Sequence, residues 1–231
     1  MTVDTLMQLA SDSGGVLYVI AAMLFVALTL ILERSWFLQR VGASGRTVLA
    51  QLDRLGHADS AALTALAARY RDLPVGRLLS AAARLGTGGE RSRDALTASL
   101  DETVMREAPR IDRFLWVLDT IVTLAPLLGL FGTIVGMFHA FQVLSNPGNA
   151  PTQVTGGVAE ALVATASGLL VAMIGLLFFN GLHNRVRLAA HQLETLKITL
   201  VNRMAGIAHE PFVEARENLR EVAAQLAAQG A

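Results

Sequence analysis

Two carboxylates lie in stretches of the sequence that are otherwise apolar enough to cross a membrane. Asp119 falls in the segment 115–144 and Glu160 in the segment 158–182. An ionisable side chain at the centre of a bilayer costs about 2.5–3.5 kcal/mol on insertion scales, so each is a candidate functional group. Glu160 lies just inside the end of its segment, where it is either hydrated at the membrane surface or faces a pore.

Hydroxyl groups and a proline share one face of the second apolar segment. At 100° per residue, Asp119, Thr123, Pro126 and Thr133 fall within an arc of about 80°. This face could line a hydrated path. Alternatively, Asp119 sits near the headgroups while the threonines bond to backbone carbonyls one turn earlier. We favour the interfacial position for Asp119 and the lining role for Thr133. The kink expected at Pro126 fits a shape role and a conformational role equally well.

The third apolar segment carries a stripe of small residues. Its members are Ala161, Ala164, Thr165, Gly168, Ala172 and Gly175, with Glu160 at the edge. Small residues let helices approach closely, as do Gly129, Gly132 and Gly136 on the second segment. For these glycines we favour helix packing over a direct part in transport. Ser167, together with Asp119 and Thr123, is a further candidate for a polar path.

Composition excludes several classes of function. Of the 231 residues, 53% are hydrophobic and only 16% charged, which is unlike an ordinary soluble domain. Lys plus Arg equals Asp plus Glu at 19 each, so no excess positive charge indicates nucleic acid binding. The chain has no Cys, and its five His have no metal-ligand spacing. The Gly86–Gly89 run lacks the Lys-Ser/Thr of a phosphate-binding loop. We therefore expect no enzyme activity, no metal and no cofactor.

Three segments are long enough to span the bilayer, which needs about 20 mostly apolar residues. All 19 Lys and Arg lie either in residues 33–114, which contain 13, or after residue 182, which contain 6. The positive-inside rule then places the N-terminus outside and both polar segments in the cytoplasm. The predicted order is a periplasmic N-terminus (1–15), a first span (16–32), a cytoplasmic helical domain (33–114), a second span (115–144), a periplasmic loop (145–157), a third span (158–182) and cytoplasmic C-terminal helices (183–231).

Apolar residues at three- and four-residue steps predict amphipathic helices in the cytoplasmic segments. Breaks are expected near Gly56, at Pro74 and at Gly86–Gly89. The helix of the second span should extend into the cytoplasm with an interruption or kink at Pro109. A last amphipathic helix is expected around Leu219–Leu226. The sequence therefore predicts an all-α integral membrane protein with three transmembrane helices and long cytoplasmic helical extensions.

Two blocks of this sequence resemble the MotA/TolQ/ExbB proton-channel family. The block Ala125-Pro-Leu-Leu-Gly-Leu-Phe-Gly-Thr-Ile-Val-Gly-Met137 is similar to the family signature in the second span. The block Glu160-Ala-Leu-Val-Ala-Thr-Ala166, followed by Gly168, is similar to the signature in the third. Three spans, an outside N-terminus and a large loop after the first span resemble the ExbB/TolQ branch more than the four-span MotA branch.

The resemblance implies a homo-pentamer whose second and third helices enclose the single transmembrane helix of an ExbD- or TolR-like partner. In the family, an aspartate on that partner helix takes up and releases protons. Carried over to this sequence, Thr133 and Thr165 are the pore-facing threonines and Glu160 is the pore carboxylate. The implied activity is a proton-channel stator subunit of the inner membrane that energises a TonB- or TolA-like transducer, with Na⁺ not excluded as the ion.

Within that family, an ExbB-like role in TonB-dependent import is favoured over a TolQ-like role in the Tol-Pal envelope system. An alternative function of a different class is a membrane scaffold without ion flux, in which Thr133, Glu160 and Thr165 contribute only to helix packing. An intramembrane enzyme is the remaining alternative, and the sequence offers it no catalytic dyad.

Overall fold

The computed structural model describes residues 15–54, 60–86, 93–144 and 151–205, and within these ranges all regular secondary structure is α-helical. The helices are α1 (Val16–Arg54), α2 (Ser60–Arg69), α3 (Pro74–Gly86), α4 (Arg93–Ile111), α5 (Leu115–Leu144) and α6 (Pro151–Met204). Three helical stretches are long and apolar enough to cross a membrane: Val16–Asp53, Arg93–Gln142 and Thr155–Met204. The predicted all-helical membrane fold with three candidate spans is therefore confirmed.

The chain divides into two compact units. The first contains residues up to Leu38 together with Asp112–Val186, and the second contains Gln39–Ile111 together with residues from Arg187 onward. Two helices, α1 and α6, contribute residues to both units. The core of the first unit is made of aliphatic and alanine side chains from its three helices: Ile20, Ala27, Leu118, Ile121, Ala125, Ala161, Ala164 and Val171.

In the second unit, short helices pack on the long ones as the amphipathic pattern predicts. Val48, Leu79, Leu100 and Leu200, which come from α1, α3, α4 and α6, are each fully buried. Pro74 begins α3, where its missing N–H needs no partner and its fixed φ suits the first helical turn. The predicted breaks at Gly56 and after Gly86 lie outside the described residues, as does the predicted helix around Leu219–Leu226.

Ion pairs join the C-terminal part of α6 to its neighbours in the second unit. Lys197 Nζ lies 2.5 Å from Asp101 Oδ1 of α4 and 2.6 Å from Glu194 Oε2 one turn earlier. Arg203 donates to the Leu52 carbonyl oxygen and pairs with Asp53 at 3.2 Å, which connects α6 to α1. Lys197 is the only lysine in the chain. The pattern of charges along the sequence did not predict this cluster.

The break before the second span lies at 112–114 and not at Pro109, so its predicted position was wrong. Pro109 is inside α4, where its missing N–H removes one hydrogen bond without ending the helix. Phe114 has φ 65°, in the left-handed region that residues other than glycine rarely adopt. The reversed φ at Phe114 ends the run of helical dihedral angles, and α5 begins at the next residue. The next helix, α6, begins at Pro151, within the stretch 145–157 that was predicted to be a loop.

Candidate functional site

The two helices that carry the signature blocks pack closely along their small residues. A Cβ atom built on Gly129 would lie 3.0 Å from the Ala164 carbonyl oxygen, and one built on Gly136 would lie 2.8 Å from the Ala161 Cβ. A Cβ on Gly168 would overlap the Ala125 carbonyl oxygen. These distances are shorter than ordinary carbon contacts, so α5 and α6 pack backbone against backbone, as small residues allow.

The same packing includes α1. A Cβ on Gly132 would lie 2.8 Å from the Ala164 Cβ and 3.3 Å from Val16 Cγ1. Pro126 is half-buried inside a continuous α5 and supplies no N–H to the turn before it. Among the residues predicted to shape the helices, all four glycines thus contact a neighbouring helix, whereas Pro126 lies within an unbroken one.

Thr165 joins α6 to α5 by a hydrogen bond between the two helices. Its Oγ1 donates to the Gly129 carbonyl oxygen at 2.9 Å. Gly129 makes this bond accessible because it has no side chain between its carbonyl and the neighbouring helix. The hydroxyl predicted to face a pore is therefore also a structural link between the two close-packed helices.

The threonines of α5 bond within their own helix. Thr133 Oγ1 donates to the Leu130 carbonyl at 2.6 Å. Thr123 Oγ1 contacts the carbonyls of Asp119 and Thr120 at 3.1 and 3.0 Å. Because a carbonyl oxygen cannot donate, each hydroxyl must be the donor in these bonds. The bonding to backbone carbonyls, which the sequence left open as an alternative, is thus present at Thr123 and Thr133.

These bonds determine what the two candidate lining hydroxyls can offer to a ligand. A hydroxyl has one hydrogen to donate and two lone pairs that accept. With their hydrogens directed at Leu130 and Gly129, Thr133 and Thr165 present acceptors only. An acceptor suits a protonated carboxyl group, which has a hydrogen to donate, whereas an ionised carboxylate needs a donor. Each threonine must rotate its hydroxyl and break a backbone bond before it can stabilise a negative charge.

The two carboxylates of the spans lie at opposite ends of the α5–α6 pair. Gly136 contacts α6 at Ala161, next to Glu160, while Asp119 lies further towards the start of α5. With a rise of 1.5 Å per residue, the distance from Asp119 to Gly136 along α5 is about 25 Å. The two carboxylates are therefore not brought together. Asp119 is exposed in the single chain, and Glu160 and Ser167 are half-exposed.

An aromatic and arginine cluster at the start of α5 was missed as a site by the sequence reasoning. Arg34 is only 5% exposed, and its Nε lies 2.8 Å from Glu33 Oε2. Its guanidinium lies over the rings of Phe37 and Phe114, at 5.2 and 5.5 Å from the ring centres. Arg113 lies over the Phe114 ring as well, at 4.4 Å.

This cluster fixes the residue at which the pore-candidate helix begins. Such cation–π contacts contribute about 0.5–2 kcal/mol each, depending on desolvation. The left-handed backbone of Phe114 is disfavoured by a similar amount, so the contacts offset the strain. The sequence signal at this position is the group of aromatic residues Trp36, Phe37, Phe114 and Trp116 beside the first and second spans, which indicates neither the buried Arg34 nor the reversed φ.

Much of the surface of α5 and α6 in the single chain is apolar. Large side chains are exposed along both helices: Leu127, Leu130, Phe131, Ile134, Phe138, Leu162, Leu170, Met173 and Leu177. Exposed apolar patches of this kind indicate contact with lipid or with another chain. In the described ranges, no group of three or more His, Asp or Glu side chains is arranged to hold a metal ion.

Outside the predicted spans 16–32, 115–144 and 158–182, one carboxylate has an unusual environment. Glu107 of α4 is buried, and the loss of solvent raises its pKa above the ordinary value of a glutamate, although the positive charge of Arg77 acts in the lowering direction. Arg77 Nη1 lies 2.9 Å and Arg110 Nη1 3.4 Å from Glu107 Oε1. The pKa of Lys197 is raised by its hydrogen bonds to Asp101 and Glu194. Both groups connect helices of the second unit and are structural.

Comparison with known proteins agrees with the placement of the signature blocks. Residues 71–195 match the family described as the MotA/TolQ/ExbB proton channel family. The chain is 33% identical over 199 residues to the protein named ExbB-like 3 of Synechocystis sp., covering 83% of this chain and 92% of that protein. It is 32% identical over 170 residues to ExbB-like 1 of the same organism, covering 72% of this chain and 66% of that protein. It is 42% identical over 82 residues to the Tol-Pal system protein TolQ of Haemophilus influenzae, and this alignment covers about a third of each chain.

Proposed function

Because the chain belongs to the MotA/TolQ/ExbB proton channel family, within its ExbB/TolQ branch, we propose that it is the proton-conducting stator subunit of an inner-membrane motor. In the proposed assembly, five copies form a ring, and α5 and α6 surround the single transmembrane helix of an ExbD- or TolR-like partner that carries an aspartate. The family comprises channel subunits and is not an enzyme class.

One observation carries the proposal beyond family membership. The close-packed face between α5 and α6 contains a hydroxyl, Thr165, bonded at 2.9 Å to the carbonyl of Gly129, with Thr133 one helical turn further along α5. Most of the neighbouring residues are Gly, Ala or large apolar side chains. A scaffold that only packs would use the Thr165 bond between helices, but it would not need the Thr133 hydroxyl, which bonds within α5.

The acceptor-only state of these threonines suggests an order of steps. A protonated aspartate on the partner helix would donate to Thr133 or Thr165 without disturbing their backbone bonds. When the aspartate loses its proton, each hydroxyl would rotate to donate to the carboxylate, and its bond to Leu130 or Gly129 would break. A proton moving down the membrane potential releases about 2.3 kcal/mol per 100 mV, which exceeds one net hydrogen bond. Rotation of the partner helix relative to the ring would pass that energy to a TonB- or TolA-like transducer.

The proposed orientation has the N-terminus in the periplasm and the polar segments, with the C-terminus, in the cytoplasm. It is supported by the restriction of all 19 Lys and Arg to the two polar segments. Single cysteines at Thr155 and at Tyr70, in a chain that has no native Cys, test this directly. A membrane-impermeant thiol reagent should label position 155 and spare position 70 in intact cells. Labelling at 70 alone would reverse the topology and the direction of proton flow with it.

Native mass spectrometry of the detergent-purified protein tests the ring. A pentamer, with or without partner chains, is the expected result, because the family resemblance implies a ring of five subunits. A monomer that retains activity would refute the proposed assembly.

An ExbB-like role is favoured for this chain, since the alignments over 170 and 199 residues are to proteins named ExbB-like. A TolQ-like role is the second candidate because the shorter alignment to a TolQ protein has the higher identity. Expression of the chain with its own partner in strains lacking either system separates the two. Restored TonB-dependent iron uptake would indicate the first role, and restored resistance to detergent the second.

A further inference from the structure

A polar groove in the second unit is not used by the proposed proton pathway. It has a volume of about 360 Å³ and lies between α1 and the turn that joins α2 to α3. This volume is within the range typical of small-ligand sites. Its polar lining consists of Arg40, Ser44 and Thr47 from α1, Arg69 at the end of α2, and Tyr70 and Asp72 from the turn.

The turn that supplies half of the groove is firmly held. The Leu73 N–H donates to the Tyr70 carbonyl at 2.9 Å, and the Gly76 N–H donates to the Leu73 carbonyl at 3.0 Å. A Cβ on Gly76 would overlap the Tyr70 carbonyl oxygen, so only glycine allows α3 to begin this close to the turn. The position of Arg69 and Tyr70 relative to α3 is therefore built into the backbone.

The charges that line the groove favour an anion. Two of the lining residues, Arg40 and Arg69, carry a guanidinium group, and one, Asp72, carries a carboxylate, which lies 3.8 Å from Arg71. Arg69 stacks over the Tyr70 ring at 5.9 Å and has no ion pair among the described residues. A planar guanidinium presents paired N–H groups that match the oxygens of a phosphate.

The hydroxyls on the α1 side complete this chemistry. Ser44 Oγ donates to the Val41 carbonyl at 2.8 Å, and Thr47 Oγ1 donates to the Ala43 carbonyl at 2.9 Å. Both hydroxyls therefore present lone pairs to the groove, and they can accept from a ligand hydroxyl or a protonated phosphate oxygen. The arginines supply the donors for a charged group, and the α1 hydroxyls supply acceptors beside it.

From this arrangement we propose that the groove binds a phosphate group of a soluble cytoplasmic compound. The proposal goes beyond the proton-channel function, and only its cytoplasmic location depends on the proposed topology. The same phosphate chemistry could come from an anionic lipid headgroup, but the position along α1 argues against that source. With a rise of 1.5 Å per residue, Arg40 lies about 12 Å and Thr47 about 22 Å beyond Leu32, where the first span was predicted to end. The headgroup layer adds only about 5–8 Å to each side of the hydrocarbon core.

The test titrates inorganic phosphate against the full-length chain purified in detergent, at constant ionic strength set with chloride, and follows broadening of the phosphorus NMR signal. Saturable binding is expected. Arg69→Gln should weaken it about tenfold, because a hydrogen bond to a charged group is lost. Asp72→Asn should strengthen it, because the opposing charge is removed. Arg84→Gln, which changes an arginine of a different groove, should leave the affinity unchanged.

A second arm distinguishes the source of the phosphate. The chain is placed in nanodiscs of phosphatidylglycerol or of phosphatidylcholine, and bound lipid is measured by native mass spectrometry for wild type and Arg69→Gln. Equal lipid retention in wild type and variant is expected. Retention of phosphatidylglycerol that depends on Arg69, without binding of free phosphate, would overturn the soluble ligand. Absence of saturable phosphate binding, or equal weakening by Arg84→Gln, would overturn the site.

Discussion

Replacement of Thr133 by Val tests whether the hydroxyl of α5 acts on a proton carrier. Valine keeps the branched shape of threonine but has neither donor nor acceptor. In this structure the Thr133 hydroxyl bonds only within its own helix, to the Leu130 carbonyl at 2.6 Å. Since that carbonyl keeps its place in the helix, we expect folding and ring assembly to survive the change.

The expected size of the effect follows from the bonds exchanged during proton release. A hydrogen bond to a charged group contributes about 1.5–3 kcal/mol, and the backbone bond that Thr133 must break is worth about 1 kcal/mol net. The difference, about 0.5–2 kcal/mol, corresponds to a roughly two- to thirtyfold slower deprotonation of the partner aspartate. Activity that depends on the proton motive force should fall by the same factor wherever this step limits the rate.

The assay is proton-motive-force-dependent uptake or envelope function in cells at matched protein levels. Thr29→Val on α1 is a matched control because Thr29 also bonds to a carbonyl one turn earlier, that of Phe25 at 2.8 Å, and is exposed. It should keep full activity. Thr133→Ser, which restores the hydroxyl, should recover most of the loss.

Thr165→Val should also reduce activity, but part of its effect is structural because it removes the bond between helices. The double variant should be less impaired than the sum of the single ones, since both hydroxyls would serve one carboxylate. Wild-type activity in the double variant at normal pentamer levels would refute the lining role. The membrane scaffold without ion flux would then be the remaining interpretation. An equal loss in Thr29→Val would show that any hydroxyl in the spans matters, which contradicts the specific role.

Three further changes test other parts of the structure. Gly168→Ala should separate α5 from α6, because its Cβ would overlap the Ala125 carbonyl, and should lower the midpoint of thermal unfolding in detergent, whereas Gly181→Ala, which meets open space, should not. The free energy of unfolding of Phe114→Gly should exceed that of Phe114→Ala by about 1 kcal/mol, which is the reverse of the usual order. Both variants lose the ring, but only glycine adopts φ 65° without strain. Burial raises the pKa of Glu107, so the folded state holds its proton more tightly than the unfolded state, and stability should fall as pH rises through the folded-state pKa. Glu107→Gln should remove that slope, as measured by thermal unfolding at increasing pH above the ordinary pKa of a glutamate.

The sequence was sufficient for the features that depend on local composition. Apolar segments of span length and the position of Pro74 predicted helices that the structure contains. The small-residue pattern likewise predicted close packing between the second and third spans. Each of these features is determined by residues near one another in the chain.

The rest depended on contacts between distant residues. The sequence of α6 does not show which carbonyl oxygen a threonine hydroxyl will donate to. The bond from Thr165 to Gly129 could therefore not be predicted from periodicity. The break was assigned to Pro109 because proline is a local signal, whereas the left-handed Phe114 is stabilised by Arg34 from another helix. Burial of Arg34 and Glu107 likewise arises only when separate helices meet.

In the proposed channel, Gly129 would serve both packing and chemistry. Gly129 lets α6 approach closely enough for the Gly129 carbonyl to accept a hydrogen bond from the Thr165 hydroxyl. If Thr165 turned to an ionised carboxylate on the proposed partner helix, that bond would break, and a link between α5 and α6 would be lost. The helix pair would then be held more tightly with a protonated partner than with a charged one. Loosening of α5 against α6 on deprotonation would couple the chemical step to movement of the ring without requiring any titratable group in this chain.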